Sequence, residues 1–205
     1  MVRQRVIYTK NATNKGVSSD YVLLFHHNVT EGSYFNSESD FLFANTKHKY
    51  SLFGFIDDSF KFDGERFGFL LEYPDDDTHC FFTQTVNPIK AAHNSDVSFN
   101  DEGNNFKGPK NFTGLTRYGG TSTFFDGVSN TDWYYAIGQK HKWDGRNIIP
   151  GSYGGYNPPL REVFLWLRIP SISFLRTKNF GFFSCRIQKR TSTLFFCISF
   201  LMSSN

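Results

Sequence analysis

The chain has 205 residues and a mass of 23.7 kDa, which allows one ordinary domain and excludes a second large one. Hydrophobic residues make up 39% of the sequence, charged residues 20%, and there are only 7 prolines, so the composition excludes global disorder. The formal charge is +3, but 5 of the 22 basic residues follow residue 170, which leaves 17 basic against 19 acidic residues before that point. This slightly acidic body argues against nucleic acid as a partner.

Aromatic residues are unusually frequent, with 25 Phe, 10 Tyr and 3 Trp. Such side chains suit pleated, half-buried surfaces, and short apolar runs alternate here with Gly, Asn, Asp and Pro. We therefore predict a mainly β fold of antiparallel, sandwich-like sheets with one or two short helices. The predicted strands are Tyr21–His26, Ser51–Ile56, Phe67–Tyr73, Cys80–Val86, Ser122–Phe125, Trp133–Ile137 and Glu162–Ile169.

Two of the predicted elements carry more detail. In Glu162–Ile169 the apolar Val163, Leu165 and Leu167 share one face, and the other face is also expected to be covered because it carries Phe164 and Trp166. The only helix signal is at Ser37–Asn45, where a serine cap and early acidic residues predict two turns at most. The loops 94–112 and 139–161 are long for one domain, which is typical of functional or mobile segments.

The domain organisation is predicted in three parts: a polar segment at 1–20, one β-rich domain at 21–170, and a basic, Phe-rich tail at 171–205 outside the fold. No apolar stretch suited to a secretory signal occurs in the first part. The longest apolar run of the tail, Leu194–Met202, falls well short of the ~20 residues that a membrane-spanning helix needs. Neither a signal peptide nor a transmembrane helix is expected.

Catalytic and metal-binding motifs are missing from the sequence. It contains no G-x-S-x-G elbow, no H-E-x-x-H, no phosphate-binding loop and no CxxC pair, so we expect a non-catalytic protein, with an unrecognised glycoside-active enzyme as a remote alternative. The acidic run at 75–77 is interpreted as a solvated turn, since it lacks the spaced oxygen ligands of a calcium loop. No metal ligands are nominated, and Ca²⁺ is the only cofactor left open.

Cysteine and asparagine positions bear on the compartment. The cysteines are Cys80, Cys185 and Cys197, an odd number, and Cys80 is expected to be a buried free thiol, with a disulfide as the alternative. Three N-x-Thr sequons make Asn11, Asn28 and Asn111 candidate glycan acceptors if the chain enters the secretory pathway.

The densest group of aromatic and polar residues runs from 123 to 156. Sugar-binding sites combine flat rings with hydrogen-bonding groups in a shallow, wet groove, and this stretch offers both. The candidate ligand-binding residues are Trp143, Tyr153, Tyr156, Asp126 and Asp144. Core packing is the competing interpretation for rings in the predicted strand Trp133–Ile137.

Several short motifs occur in a recognisable order: LLFHHN (23–28), FLLEYP (69–74), QTVNP (84–88), GLTRYGGTSTFFDG (114–127), WYYAIG (133–138), IPG (149–151) and EVFLWLRI (162–169). This succession resembles a domain of secreted and surface proteins of cnidarians and other simple animals, often found beside EGF-like or apple modules. That domain is loosely similar to fibrinogen C-terminal, lectin-like domains.

The resemblance implies an extracellular or cell-surface protein that recognises a glycan or a protein ligand without catalysis. A structural matrix or adhesion component without a small-molecule site is the alternative function, and an α+β fibrinogen-like fold is the alternative architecture. The resemblance ends after Ile169, where acidic residues disappear. The tail is therefore interpreted as an artefact of gene prediction, such as translated intron, with a membrane-seeking tail as the alternative.

Overall fold

The computed structural model describes residues 7–93, 95–105, 112–118, 124–128, 137–140, 160–169, 188–190 and 193–195. Within them the chain is mainly β, which confirms the predicted fold class. The strands are β1 (Thr9–Asn14), β2 (Val17–Asn28), β3 (Lys49–Ser51), β4 (Phe67–Tyr73), β5 (Thr78–Gln84), β6 (Asn100–Asn104), β7 (Phe112–Arg117), β8 (Phe125–Val128), β9 (Glu162–Arg168), β10 (Gln188–Arg190) and β11 (Thr193–Phe195).

Seven strands form one antiparallel sheet in the order β1-β2-β9-β4-β5-β6, and β3 pairs with β2 as well. β1 and β3 follow each other along one edge of β2, because β9 occupies its other edge from Tyr21 to Asn28. A two-residue turn joins β1 to β2, with Lys15 at φ 47° and Gly16 at φ 82°. Left-handed conformations at both positions are those of the hairpin turn that matches strand twist.

The sheet curls until its two edges meet. The hairpin tip reaches β6 at the opposite edge, where Asn14 Nδ2 donates to the backbone oxygen of Glu102 at 3.1 Å. A Cβ atom on Gly103 would lie only 2.9 Å from Asn14 Oδ1, so glycine permits this approach. Bulges in β2 and in the β5–β6 pairing accompany the curl, as expected from the extra twist that bulges introduce. We call the inner side of the curl the concave face.

The main core lies on the opposite, convex face of the sheet. It contains fully buried rings such as Phe25, Phe69 and Phe82, together with Leu165. A helix, α1 (Glu38–Phe43), and the two-stranded sheet β7-β8 contribute further side chains to this cluster. The helix begins as predicted, because the Ser37 hydroxyl accepts a hydrogen bond from the Asp40 backbone N–H at 3.0 Å.

Three parts of the chain differ from the sequence-based expectation. The segment predicted as the strand Ser51–Ile56 contains instead a short 3-10 turn at Phe53–Phe55, with Phe53 pointing into the core. The predicted loop 94–112 contains β6, which pairs with β5. The sheet also begins before residue 21, since β1 and the start of β2 lie in the segment assigned to a polar N-terminus.

Strand β9 matches the predicted range closely but not the predicted coverage. Val163, Leu165 and Leu167 are at most 1% exposed on the convex face, as alternation predicted. Phe164 and Trp166 on the other face are only half-buried, so the expectation that both faces are covered is wrong for the described part of the chain.

The predicted tail is described only at β10 and β11, which pair with each other as an antiparallel hairpin. Its place outside the fold stays a prediction. Among the described residues, no helix has the length and apolar character needed to cross a membrane.

Cys80 is a free thiol buried on β5, and burial, reinforced by Asp101, raises its pKa. Since the thiolate is the reacting form, iodoacetamide is expected to modify Cys80 at least about 100-fold more slowly in the folded protein than in denaturant. Peptide mapping by mass spectrometry after timed alkylation measures this rate separately from Cys185 and Cys197. Equal rates in both conditions would contradict the buried placement.

Candidate functional site

The ligand-binding residues predicted from sequence fall mostly outside the described part of the chain. Trp143, Asp144, Tyr153 and Tyr156 all lie in ranges that the structure does not describe. Asp126 belongs to β8, where its backbone pairs with that of Thr116. The predicted grouping of these five residues therefore stays a prediction.

Two of the three candidate glycosylation sites are described. Asn11 is exposed on β1, with Nδ2 donating to Asp20 Oδ1 at 3.0 Å. Asn28 is half-buried at the end of β2, where its Oδ1 accepts from the Thr30 backbone N–H at 2.8 Å. Asn111 lies outside the described residues. Of the two described acceptors, Asn11 offers the more accessible side chain.

The concave face carries a different aromatic group, which we call the ring strip. It is built by cross-strand pairing: His26 of β2 lies opposite Phe164 of β9 and Tyr50 of β3, and Trp166 follows Phe164 on the same face. The backbone oxygen of Tyr8 accepts from the Leu23 N–H, and the contact of its ring with Tyr50 places Tyr8 on this face too. The ring strip consists of Tyr8, Tyr50, His26, Phe164 and Trp166.

The rings of this strip form two groups in contact, one of Tyr8 and Tyr50 and one of His26, Phe164 and Trp166. His26 and Phe164 are stacked, with centroids 4.4 Å apart and planes 12° apart. Phe164 and Trp166 are nearly parallel at 6.0 Å, and Tyr8 meets Tyr50 edge to face at 5.5 Å. Tyr50 is buried, whereas Tyr8 is 44% exposed and the remaining three rings are half-buried. The strip thus offers ring surface to solvent while its neighbours hold each ring in place.

A carboxylate and an ammonium group stand beside the indole of Trp166. Glu72 Oε2 accepts a hydrogen bond from Trp166 Nε1 at 2.6 Å, and Glu72 Oε1 accepts one from Lys10 Nζ. The Lys10 ammonium also lies 5.4 Å from the centre of the indole ring, which is within range of a cation–π interaction. Both charged side chains remain partly exposed, at 32% for Lys10 and 24% for Glu72. We call these two side chains the Lys10–Glu72 pair.

A second polar contact lies at the other end of the strip. His26 Nε2 donates to Glu162 Oε1 at 2.7 Å, since only the carboxylate can accept. Burial lowers the pKa of His26, and the hydrogen bond and charge of Glu162 oppose that effect. Burial has the larger influence, so His26 is the neutral form at pH 7.

The floor of the concave face next to the strip is apolar. Tyr21, Leu70 and Phe81 form a small buried cluster, and Ala12 and Trp166 pack against it. Rings beside an apolar floor, fringed by a carboxylate and an ammonium group, can stack on a flat ligand and hydrogen-bond its hydroxyl groups.

Metal ligands are not assembled in the part of the chain that the structure describes, where no group of three or more His, Cys, Asp or Glu is found. In the acidic turn at 75–77, Asp75 Oδ2 accepts a hydrogen bond from the Arg161 backbone N–H at 2.5 Å. That carboxylate therefore has a structural contact, fastening β9 to the turn.

Sequence reasoning missed the ring strip because its members are far apart in the chain. Lys10 and Glu72 are separated by 62 positions, and His26 and Glu162 by 136. The available signal was the alternation in β9, which places Phe164 and Trp166 on one face. Because the sequence pattern predicts that this face is covered, it does not indicate these residues as ligand contacts.

Comparison of the chain with protein-family models, with curated proteins and with solved structures finds no match.

Proposed function

We propose that this chain is an extracellular recognition module that binds glycan or protein ligands through the ring strip. The observation that carries the proposal is the half-buried pair Phe164 and Trp166 on the concave face, with Glu72 fixed to the indole N–H at 2.6 Å. Half-exposed aromatic rings with positioned polar groups are typical of recognition sites, because they offer apolar area and hydrogen bonds together.

A glycan is the ligand class that the polar groups favour. Sugar rings present an apolar face and a border of hydroxyl groups, and hydroxyl groups both donate and accept hydrogen bonds. The Lys10–Glu72 pair supplies a donor and an acceptor side by side, next to an indole ring. A protein ligand remains the second form of the same proposal.

The extracellular location rests on the motif order described above and on the sequons. An exposed Asn11 supports it, because an acceptor asparagine must carry its glycan at the surface of the folded protein. The alternative role is a structural matrix or adhesion component. Two exposed apolar side chains away from the strip, Val17 at 59% and Phe43 at 40%, favour contacts of that kind.

A glycan array probed with the folded protein, with and without Ca²⁺, tests the proposal together with the variant Trp166→Ala. We expect binding by the wild type and a loss of at least about tenfold in affinity for the variant, since losing the stacking ring and its apolar contact area costs more than about 1.4 kcal/mol. Phe43→Ala is the matched control. It also removes a partly exposed aromatic ring, but Phe43 belongs to α1, which packs against the opposite, convex face of the sheet through Phe41.

Loss of binding in Trp166→Ala counts only if its circular dichroism and thermal unfolding match those of a folded protein. The glycan form of the proposal fails if no glycan binds in either condition. Self-association of the wild type, abolished by Phe43→Ala and untouched by Trp166→Ala, would favour the matrix role instead.

A further inference from the structure

The charges around the ring strip are balanced among themselves. Lys10 is paired with Glu72, and His26, whose lowered pKa keeps it neutral, donates to Glu162. In the described part of the chain, the other cation on this face of β9 is Arg168, whose guanidinium lies 4.3 Å from the centre of the Phe62 ring. Among the described side chains of this face, the cations Lys10 and Arg168 do not outnumber the carboxylates of Glu72, Glu162 and Glu102, so they give no excess positive charge to attract an acidic ligand.

The Lys10–Glu72 pair is nevertheless not saturated by its contacts with Trp166. An ammonium group has three N–H donors, and Lys10 gives one of them to Glu72. Each carboxylate oxygen has two acceptor positions, and Glu72 uses one on Oε1 for Lys10 and one on Oε2 for the indole. With respect to the described residues, two donors and two acceptor positions therefore remain at adjacent atoms.

Adjacent donors and acceptors of this kind match two neighbouring hydroxyl groups. One hydroxyl donates to a Glu72 oxygen while the next accepts from Lys10 Nζ, and the carbons that carry them lie against Trp166. The indole N–H fixes the carboxylate in place before any ligand arrives, which reduces the ordering cost of binding.

From this geometry we infer that the ring strip binds a neutral sugar through a vicinal diol held by the Lys10–Glu72 pair, with the pyranose ring against Trp166. This inference rests on the proposed function and narrows it, because acidic and sulfated glycans are then poor ligands. Their extra charge would compete with Glu72 for Lys10 and meet Glu162 on the same face.

Saturation-transfer NMR and titration calorimetry test the inference with named probes. Cellobiose, lactose and maltose are the neutral set, a heparin-derived oligosaccharide is the acidic one, and 2-deoxy and 3-deoxy methyl glycosides remove one member of the diol. We expect neutral sugars to bind with a dissociation constant that changes less than about twofold between low and high salt, because hydrogen bonds to a neutral ligand are little screened.

The decisive variant is Glu72→Gln, which keeps the shape of the side chain and removes its charge. We expect at least about a tenfold loss of affinity for neutral sugars, because a hydrogen bond to a charged group contributes more than one to a neutral group. Trp166→Phe, which keeps a ring and removes the N–H that orients Glu72, is expected to weaken binding several-fold. Glu65→Gln makes the same chemical change at an exposed residue outside the strip and is expected to have no effect.

The outcomes separate this inference from the proposed function. If only the heparin oligosaccharide binds, with an affinity that falls as the salt concentration rises, the neutral-sugar assignment is overturned but the proposed recognition function is supported. Neutral binding that Glu72→Gln leaves intact, in a variant shown to be folded, overturns the role of the Lys10–Glu72 pair. If the wild type binds a protein ligand but no sugar, and Trp166→Ala abolishes that binding, the sugar assignment is overturned while recognition through the ring strip is supported. Absence of binding to any sugar or protein removes both.

Discussion

Replacing Phe41 with alanine is expected to lower the free energy of unfolding by about 3–5 kcal/mol. The Phe41 side chain is 2% exposed and stacks on Phe124 at 4.4 Å and on Phe53 at 5.3 Å. A Cβ atom on Gly138 would lie 2.5 Å from the same ring, so the backbone closes against it as well. Truncation leaves a cavity between several elements that cannot all move inward, and the aromatic contacts are lost in addition.

Urea unfolding followed by circular dichroism measures this difference. Since small domains have a total stability of about 5–15 kcal/mol, the Phe41→Ala variant is expected to unfold at a much lower urea concentration. Phe43→Ala is the control, because it removes the same side chain from the same helix at a position that is 40% exposed. A smaller loss of about 1–2 kcal/mol is expected there, because the Phe43 ring meets Phe55 edge to face at 5.3 Å but is otherwise partly exposed. Comparable losses in both variants would contradict the central position of Phe41.

The buried strands were the part of the fold that the sequence predicted well. Strands β4 and β9 consist largely of apolar and aromatic residues, and β5 contains the apolar run Cys80–Phe82, so their local pattern and their place in the core agree. Prediction failed for the edge strands β1 and β6, whose sequences TKNATN and NDEGN are polar. Their strand conformation comes from pairing with a buried neighbour and from the closing contact between Asn14 and Glu102, which are tertiary effects.

Alternation also misled at two specific places. The F-G-F pattern of residues 53–55 has the period of a strand, but the chain turns there to bury Phe53. In β2 a bulge at Leu24 shifts the register between Leu23 and Phe25. Because of that bulge His26, rather than Phe25, lies with Leu23 on the concave face. No local pattern in the sequence predicts the bulge.

The ring strip shows how much of the candidate site can be predicted from the sequence. The common face of Phe164 and Trp166 follows from strand periodicity alone. Their contact with Lys10, Glu72 and His26 requires the strand order β1-β2-β9-β4 and its register, which pairs segments far apart in the sequence. The sequence shows only which residues are close along the chain. It therefore favours the aromatic and polar residues that are dense between 123 and 156.

The stability of the fold is expected to fall as the pH drops from 7 to 5, and His27 is the main cause. Its side chain is fully buried, and burial lowers its pKa from 6.5 to about 3 despite the bond from Nε2 to the Ser33 carbonyl oxygen at 2.7 Å. The charge of Lys49 lowers this pKa further, as does that of His26 when His26 is protonated, and Asp40 partly opposes them. With Nε2 donating to Ser33, Nδ1 is the unprotonated nitrogen, and no described residue donates to it.

The direction follows from proton binding in the two states. Above pH 6.5 His27 is neutral in the folded and the unfolded state, so the full free energy of unfolding is present. Below that value the unfolded chain binds a proton at His27 that the folded protein does not bind. The free energy of unfolding then falls by about 1.4 kcal/mol per pH unit, which amounts to about 2 kcal/mol between pH 7 and pH 5. The lowered pKa of His26 acts in the same direction.

Urea midpoints at pH 7 and pH 5, compared between the wild type and His27→Gln, measure this contribution. Glutamine can still donate to the Ser33 carbonyl oxygen but does not titrate, so the variant is expected to lose most of the pH dependence even if its stability at pH 7 is lower. His93→Gln, at an exposed histidine, is the matched control and is expected to keep the wild-type difference. If His27→Gln loses as much stability on acidification as the wild type, His27 binds its proton in the folded protein and its burial beside Ser33 and Phe35 is refuted.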